Sequence, residues 1–316
     1  MTTRVFFATD VHGSEVCFLK FINAAAFYKA DVLVMGGDIT GKMMVPIIQE
    51  GSGAASTTFM DRNWRVTTEK EMEELKKHIR RAGGYPYVCS REEYEQLADD
   101  PEAASRTFTE VMVKETRRIL DRAEEKLSKA KIKCYITPGN DDEWAIDQAF
   151  GGHEWVINPE GCVVDVDERH QMISTGYANM TPWKCPRDIE EESLFARIKT
   201  MAEKLDAPEA AIFNLHCPPY DSQLDEAPEL DDNLTPVLVA GQLHMIPVGS
   251  RAVRRALETW QPLVGLHGHI HECRGEVRIG RTLCFNPGSE YATGYLRGLI
   301  LDLKKGKIKQ YQFTSG

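Results

Sequence analysis

Short apolar runs recur along this chain, and each of five ends where an aspartate, an asparagine or a histidine begins a turn. Residues 4–9 and 31–35 are two such runs. Between them, Glu15 to Tyr28 carries apolar side chains at helical spacing (Phe18, Phe21, Ile22, Ala25). A strand–helix–strand unit follows, favouring parallel strands joined by a right-handed crossover. Residues 132–137 give a third strand, and Ala210–Leu215 and Pro262–Leu266 repeat the pattern. Beyond residue 270 the texture becomes short and alternating. Glu276–Ile279, Arg281–Phe285, Gly298–Leu303 and Lys307–Phe313 read as an antiparallel meander with glycine-containing turns. Asn286-Pro287-Gly288-Ser289 is turn chemistry. Two packed sheets with helices outside them suit such a chain.

Residues 41–130 interrupt the plan and read as a helical insertion in a single domain spanning 1–316. Thr67 or Thr68 is placed to cap a helix from about Glu69 to Ala82, ended by Gly83-Gly84. Pro101 suits the first turn of a longer helix reaching about Ala130, with Phe108, Val111, Met112, Ile119, Leu120, Ala123 and Leu127 on one face. The second half is expected to pack outside the core sheet. The first half is expected to be a cap or a dimer contact, so a homodimer is one partner expectation.

Composition narrows the function. A net charge of -10 disfavours a binder of long nucleic acid, which needs a positive phosphate-tracking surface. Eight dispersed cysteines without a Cys-x-x-Cys pair read as reduced residues. The chain enters an apolar strand at once, leaving no room for a signal core. No apolar stretch has bilayer length. These features predict a soluble cytoplasmic protein with no membrane partner.

The turns after the apolar runs hold the chemistry: Asp10-Val-His12, Gly37-Asp38, Gly139-Asn140-Asp141, a lone His216, and Gly268-His269-Ile270-His271. Ligand sites of open α/β sheets lie at the carboxyl ends of strands, so the motifs should converge on one rim. Mixed carboxylate, amide and imidazole donors suit Mn, Fe, Zn, Ni or Co better than an all-oxygen Mg or Ca cage. Two such divalent ions bring four positive charges, of which Asp10, Asp38 and a bridging hydroxide return three. The cationic remainder suits a phosphate oxygen and its transition-state charge.

Through these motifs the chain resembles the calcineurin-like metallophosphoesterase superfamily, whose pattern is Asp-x-His, Gly-Asp, Gly-Asn-His-(Asp/Glu), a lone His, then Gly-His-x-His. The resemblance covers residues 4–40 and 132–316. Single motifs are weak signals, but five in order at strand ends are specific. It implies an α/β fold (α+β by some schemes), a four-layer αββα sandwich of two mixed sheets with the helical insert after the second strand. It also implies a dinuclear phosphoesterase with a metal-bridging hydroxide attacking phosphodiester or phosphoanhydride bonds of a small phosphorylated substrate. By matching positions, Asp10, His12, Asp38 and His271 would hold one metal, with manganese among the candidates. Asp38, Asn140, His216 and His269 would hold the other. A phosphomonoesterase, a phosphoprotein phosphatase and a non-catalytic scaffold are the alternatives.

The departure is Asp141, where the family motif has a histidine that contacts phosphate and protonates the leaving oxygen. An aspartate beside two cations is a poor acid. The chain is similar in this to the Gly-Asn-Asp branch, which shares the Leu266-to-Glu272 wording and the His216-Cys-Pro-Pro219 segment. Three consequences are open, ranked in this order: the substrate has a good leaving group; another acid serves, with His267, His244 and His153 as candidates; or catalysis is lost. Asp141 and His267 are therefore the candidate catalytic residues beyond the metal ligands. His267 is also read as a neighbour that orients a ligand.

Overall fold

The computed structural model describes residues 2–51 and 53–316. Two six-stranded mixed sheets face each other. The first runs Ile308–Ser315, Arg297–Leu303, Thr3–Ala8, Val32–Met35, Lys133–Ile136, Val156–Ile157. The second runs Gly275–Ile279, Thr282–Asn286, Val264–Leu266, Ile212–Leu215, Gln171–Thr175, Val163–Asp165. Strand Thr3–Ala8 lies parallel to Val32–Met35 and antiparallel to Arg297–Leu303.

Alternation along the strands builds the layers. Val5, Phe7, Val32 and Val34 enter a core shared with Met172, Ile212, Val264, Leu266 and Phe285 of the other sheet. Their neighbours Phe6, Ala8, Leu33 and Met35 point the other way, onto helices Glu15–Phe27 and Pro101–Ala130. The second sheet turns its outer face to helices Glu191–Ala202 and Arg251–Trp260. Strands buried on both faces read as nearly continuous apolar runs, as these do. Each fully buried large apolar side chain contributes roughly 1.5–3 kcal/mol. The result is a four-layer αββα sandwich.

The long helix Pro101–Ala130 starts at Asp100, whose carboxylate accepts from Glu102 N and Ala103 N at 3.0 Å. It ends at Lys131 in the left-handed region (φ 55). Helix Glu69–Arg81 opens on Thr68 with a reciprocal bond from Glu71.

Two expectations about the elements change. The insert is not purely helical: Met43–Gln49, Ala55–Phe59, Arg62–Val66 and Gly84–Cys89 form a four-stranded sheet backed by Leu75 and Ile79 of the helix. Burial alternates along Met43–Gln49 and Ala55–Phe59, but polar residues and two prolines, Pro46 and Pro86, mask the strands in the sequence. The last four strands are also not one meander. Gly275–Ile279 and Thr282–Asn286 pair in the second sheet, whereas Arg297–Leu303 and Ile308–Ser315 pair in the first. Hairpin pairing is local and visible in sequence; the crossing between sheets is set by the shared core.

The insert is rooted beside the first motif. An atom added at Gly41 Cα would fall 1.9 Å from Gly83 O, and one at Gly83 would fall 2.6 Å from His12 O. Gly41 N donates to the Tyr85 hydroxyl at 2.7 Å. Three backbones therefore meet where side chains would not fit.

Candidate metal centre

Strands Thr3–Ala8, Val32–Met35, Lys133–Ile136, Ile212–Leu215 and Val264–Leu266 all run into the turns that carry the motif residues. Four of these residues adopt left-handed backbone: Asp10 (φ 53), His12 (φ 39), Asp38 (φ 49) and His269 (φ 68). Such conformations cost on the order of 1 kcal/mol or more each and persist only where surroundings fix them. Here Asp10 N donates to Gly37 O and His12 N to Asp38 O, both at 2.9 Å. His269 N donates to both Asp10 oxygens at 3.1 Å. The first two turns and the last are thereby tied together.

Seven side chains meet. Asp10, His12 and His271 bring ligand atoms within 4.8 Å of one another, as do Asp38, His216 and His269. Asp38 stands between the sets, with Oδ2 3.7 Å from His12 Nε2 and 3.4 Å from His216 Nε2. Asn140 Oδ1 lies 3.1 Å from His216 Nε2. Among the described residues, a third set joins His12, Asp38 and Asp141. The three sets support a dinuclear divalent-metal site.

The donor chemistry fits metal ions. His216 Nδ1 faces Gly36 O at 3.0 Å, which assigns its hydrogen there and turns the Nε2 lone pair inward. Asn140 Nδ2 donates to Asp188 Oδ1 at 2.9 Å, so its carbonyl oxygen is the atom presented to His216. Nε2 of His12 and of His271 approach to 3.1 Å. Lone pairs aimed at one another require a cation or a proton between them. Burial raises the Asp38 carboxyl, but the imidazoles of His216, His12 and His269 outweigh it and hold it well below the usual range. Burial lowers His216, and Asp38 reverses that, taking it up to about 9. His269 is pushed down to about 4, first by burial and then by the charge of His216.

Several residues that are not candidate ligands position them. Asp142, fully buried, accepts from Ile39 N (3.0 Å), Thr40 N (2.9 Å) and Gly139 N (2.7 Å), joining the second and third turns. Asn286 donates to Gly268 O and Ile270 O, and Ser289 Oγ to Asp10 O at 2.6 Å. The Tyr291 ring packs 4.7 Å from the His12 ring. Asp188 binds both Asn140 and Thr181. Asp142 falls at the last position of the Gly-Asn-x-(Asp/Glu) pattern, and Asn286 and Ser289 belong to the Asn286-to-Ser289 turn, whereas Asp188 and Tyr291 stand in stretches without such a signal.

The proton-donor candidates fare differently. His267 is fully buried, Nδ1 donates to Leu215 O at 2.8 Å, and burial pushes its pKa down to about 4. A neutral imidazole sealed in the core is not an acid for a substrate, so that expectation is corrected. The apolar run that precedes it continues through its position, and burial wins over solvent access. His244 pairs with Glu229 at 2.6 Å and His153 with Asp121 at 2.8 Å, neither partner belonging to the site. Asp141 stays at the rim, one-third exposed, with Oδ1 2.7 Å from Lys42 Nζ.

No family model matches the chain. It is 27% identical over 160 residues to the uncharacterized protein MJ1162 of Methanocaldococcus jannaschii, a match that takes in 49% of this chain and 64% of that protein. The chain thus spans less than two-thirds of the curated relative it matches. Among solved structures, TT1561 of Thermus thermophilus superposes with a TM-score of 0.53 at 14% identity, covering 100% of this chain and 99% of that one. A second crystal structure gives 0.56 at 16% identity over the same shares. With the layers and the paired ligand sets, the fold is decided. It is a four-layer αββα sandwich of two mixed sheets. The sandwich places its candidate centre at the strand ends of both sheets, where the five turns meet. No helix among the described residues is long and apolar enough to cross a membrane.

Proposed function

We propose that this chain is a dinuclear, metal-dependent phosphoesterase of the Gly-Asn-Asp type, hydrolysing phosphodiester or phosphoanhydride bonds of small substrates. The observation that carries this reading is the facing of two ligand sets across Asp38. Asp10, His12, Asp38 and His271 would hold one divalent ion, and Asp38, Asn140, His216 and His269 the other. Such a pair would acidify water and offset charge on phosphoryl oxygens. The chain's own part is to aim these donors before substrate arrives: Asp188 aims Asn140, Gly36 O aims His216, and Asn286 fixes the turn bearing His269.

Bond type follows from the proton inventory. With His267 sealed in the core and His244 and His153 paired elsewhere, Asp141 stands where a protonating imidazole would be needed. A leaving group that departs as a stable anion needs little protonation, which favours aryl esters, nucleotide diesters and anhydrides over alkyl monoesters.

The test is a hydrolysis panel with the manganese-loaded protein: aryl monoester, aryl diester, cyclic nucleotide and dinucleotide polyphosphate, each compared with Asp38→Asn. Diester or anhydride turnover abolished by the substitution supports the proposal. Turnover of monoesters alone would replace it with a phosphomonoesterase. Two bound ions per chain with no turnover would make the protein a scaffold.

A further inference from the structure

Lys42 lies four residues past Asp38, on the rim of the candidate centre. Its Nζ donates to Asp141 Oδ1 at 2.7 Å and to Asp141 O at 2.5 Å. Those two bonds fix a side chain that is otherwise about half exposed (47%). Asp141 in turn shares a 4.8 Å set with His12 and Asp38, so Lys42 is one residue removed from the ligand atoms. Among the described residues, Lys42 is the one lysine or arginine that pairs with a carboxylate of this group. Arg187, the other cation near the turn, is buried and engaged by Asp142 O and Asp147.

We propose that Lys42, held in place by Asp141, is the substrate-anion contact of this site, a specificity residue that binds a phosphoryl oxygen of the incoming ester. The inference rests on the phosphoesterase reading above. An ammonium has three hydrogens, and Asp141 uses two, so one remains for an oxygen of the substrate. An anion at this rim meets a carboxylate as well as the metals. The lysine removes that repulsion and adds an attraction of its own. It also explains how a carboxylate is tolerated where a phosphate contact is needed: Asp141 positions a longer cationic arm instead of touching phosphate itself. Its ammonium is a compact point charge suited to phosphate oxygens without imposing a fixed pair of bonds.

Inorganic phosphate binding to the manganese-loaded full chain tests this by calorimetry, alongside metal content per chain. Lys42→Met should keep two ions and weaken phosphate at least tenfold, while Lys42→Arg should restore most of the affinity. The double variant Lys42→Met with Asp141→Asn separates contact from simple shielding. If Lys42 touches the anion, the double variant stays weak. Recovery to wild-type affinity would overturn the contact and leave only shielding. Unchanged phosphate affinity in Lys42→Met would overturn the inference while leaving the phosphoesterase reading intact. Failure of the metal-loaded wild type to bind phosphate or hydrolyse any ester would overturn both.

Discussion

Asp188 Oδ1 accepts the amide N–H of Asn140 at 2.9 Å, and this bond decides which end of that amide faces the candidate centre. An amide turned the other way would present N–H groups to a cation. Asp188 is itself held by Thr181 N at 3.0 Å and Cys185 N at 2.9 Å through its second oxygen. Partners of this kind typically tune metal affinity by ten- to a hundred-fold. Asp188→Ala should therefore weaken one of two manganese ions by about that factor while the other binds as before. Calorimetric titration of both sites reads this directly, and two unaltered affinities would show that Asn140 needs no such aim.

Arg187, the residue before it, is the largest fully buried side chain of the molecule. Its Nε donates to Asp142 O at 3.0 Å, and a second nitrogen reaches Asp147 at 2.8 Å. The guanidinium also lies 4.5 Å over the Trp144 ring. Because Asp147 is 44% exposed, losing the arginine does not strand a buried carboxylate. What it strands is a buried carbonyl and a cavity. Arg187→Met should cost about 2–4 kcal/mol, read from urea unfolding at neutral pH. A cost below about 0.5 kcal/mol, the usual range for surface changes, would mean the clamp is ornamental.

These two residues also show where the sequence stops being readable. Asp10, Asp38 and His216 announce themselves because each follows an apolar run, and strand ends are where such sheets put ligands. The layers are legible for the same reason, since Val5, Phe6, Phe7 and Ala8 are apolar on both faces. Arg187 and Asp188 sit in a stretch without period, and their importance comes from contacts about 45 residues away in the chain. The insert sheet fails differently. Its strand Arg62–Val66 buries only Val66, so little alternation is there to see. His267 misleads because proximity in sequence to His269 says nothing about which way a side chain turns. His267 follows directly on the buried strand Val264–Leu266 and is sealed in the core, whereas His269 stands in the turn beyond it with left-handed backbone.

Gly268 offers a steric test of the centre. A methyl carbon there would fall 2.1 Å from Thr9 Oγ1 and 2.3 Å from Asp10 Oδ2. Both neighbours are buried, so neither can swing clear without moving the turn that carries His269. Gly268→Ala should lower manganese affinity by roughly tenfold or more, on the scale of other perturbed ligand supports. Gly51→Ala, which meets nothing within 4 Å, is the control and should bind as wild type. Equal binding by both variants would mean that the turn gives way without disturbing its ligands.

Glu115 on the long helix, which belongs to none of the candidate ligand sets, supplies the pH test. It is nearly buried and binds Arg80 through two bonds of 2.9 and 2.8 Å and Arg118 through one of 2.8 Å. Burial raises its pKa, but the two arginines overcome that and leave it below the ordinary value of 4.5. A carboxyl lowered by folding binds its proton less readily in the native state than in the unfolded chain. Its stabilisation is therefore complete above about 4.5, the ordinary glutamate range, and is lost as pH falls through the lower folded value. Glu115→Gln should be markedly less stable than wild type at pH 7, because two arginines then lack their carboxylate. The gap should narrow steadily in melts taken below pH 4.5 as the wild-type carboxyl protonates. A gap that stays constant across that range would assign the penalty to packing of the insert on the helix rather than to charge.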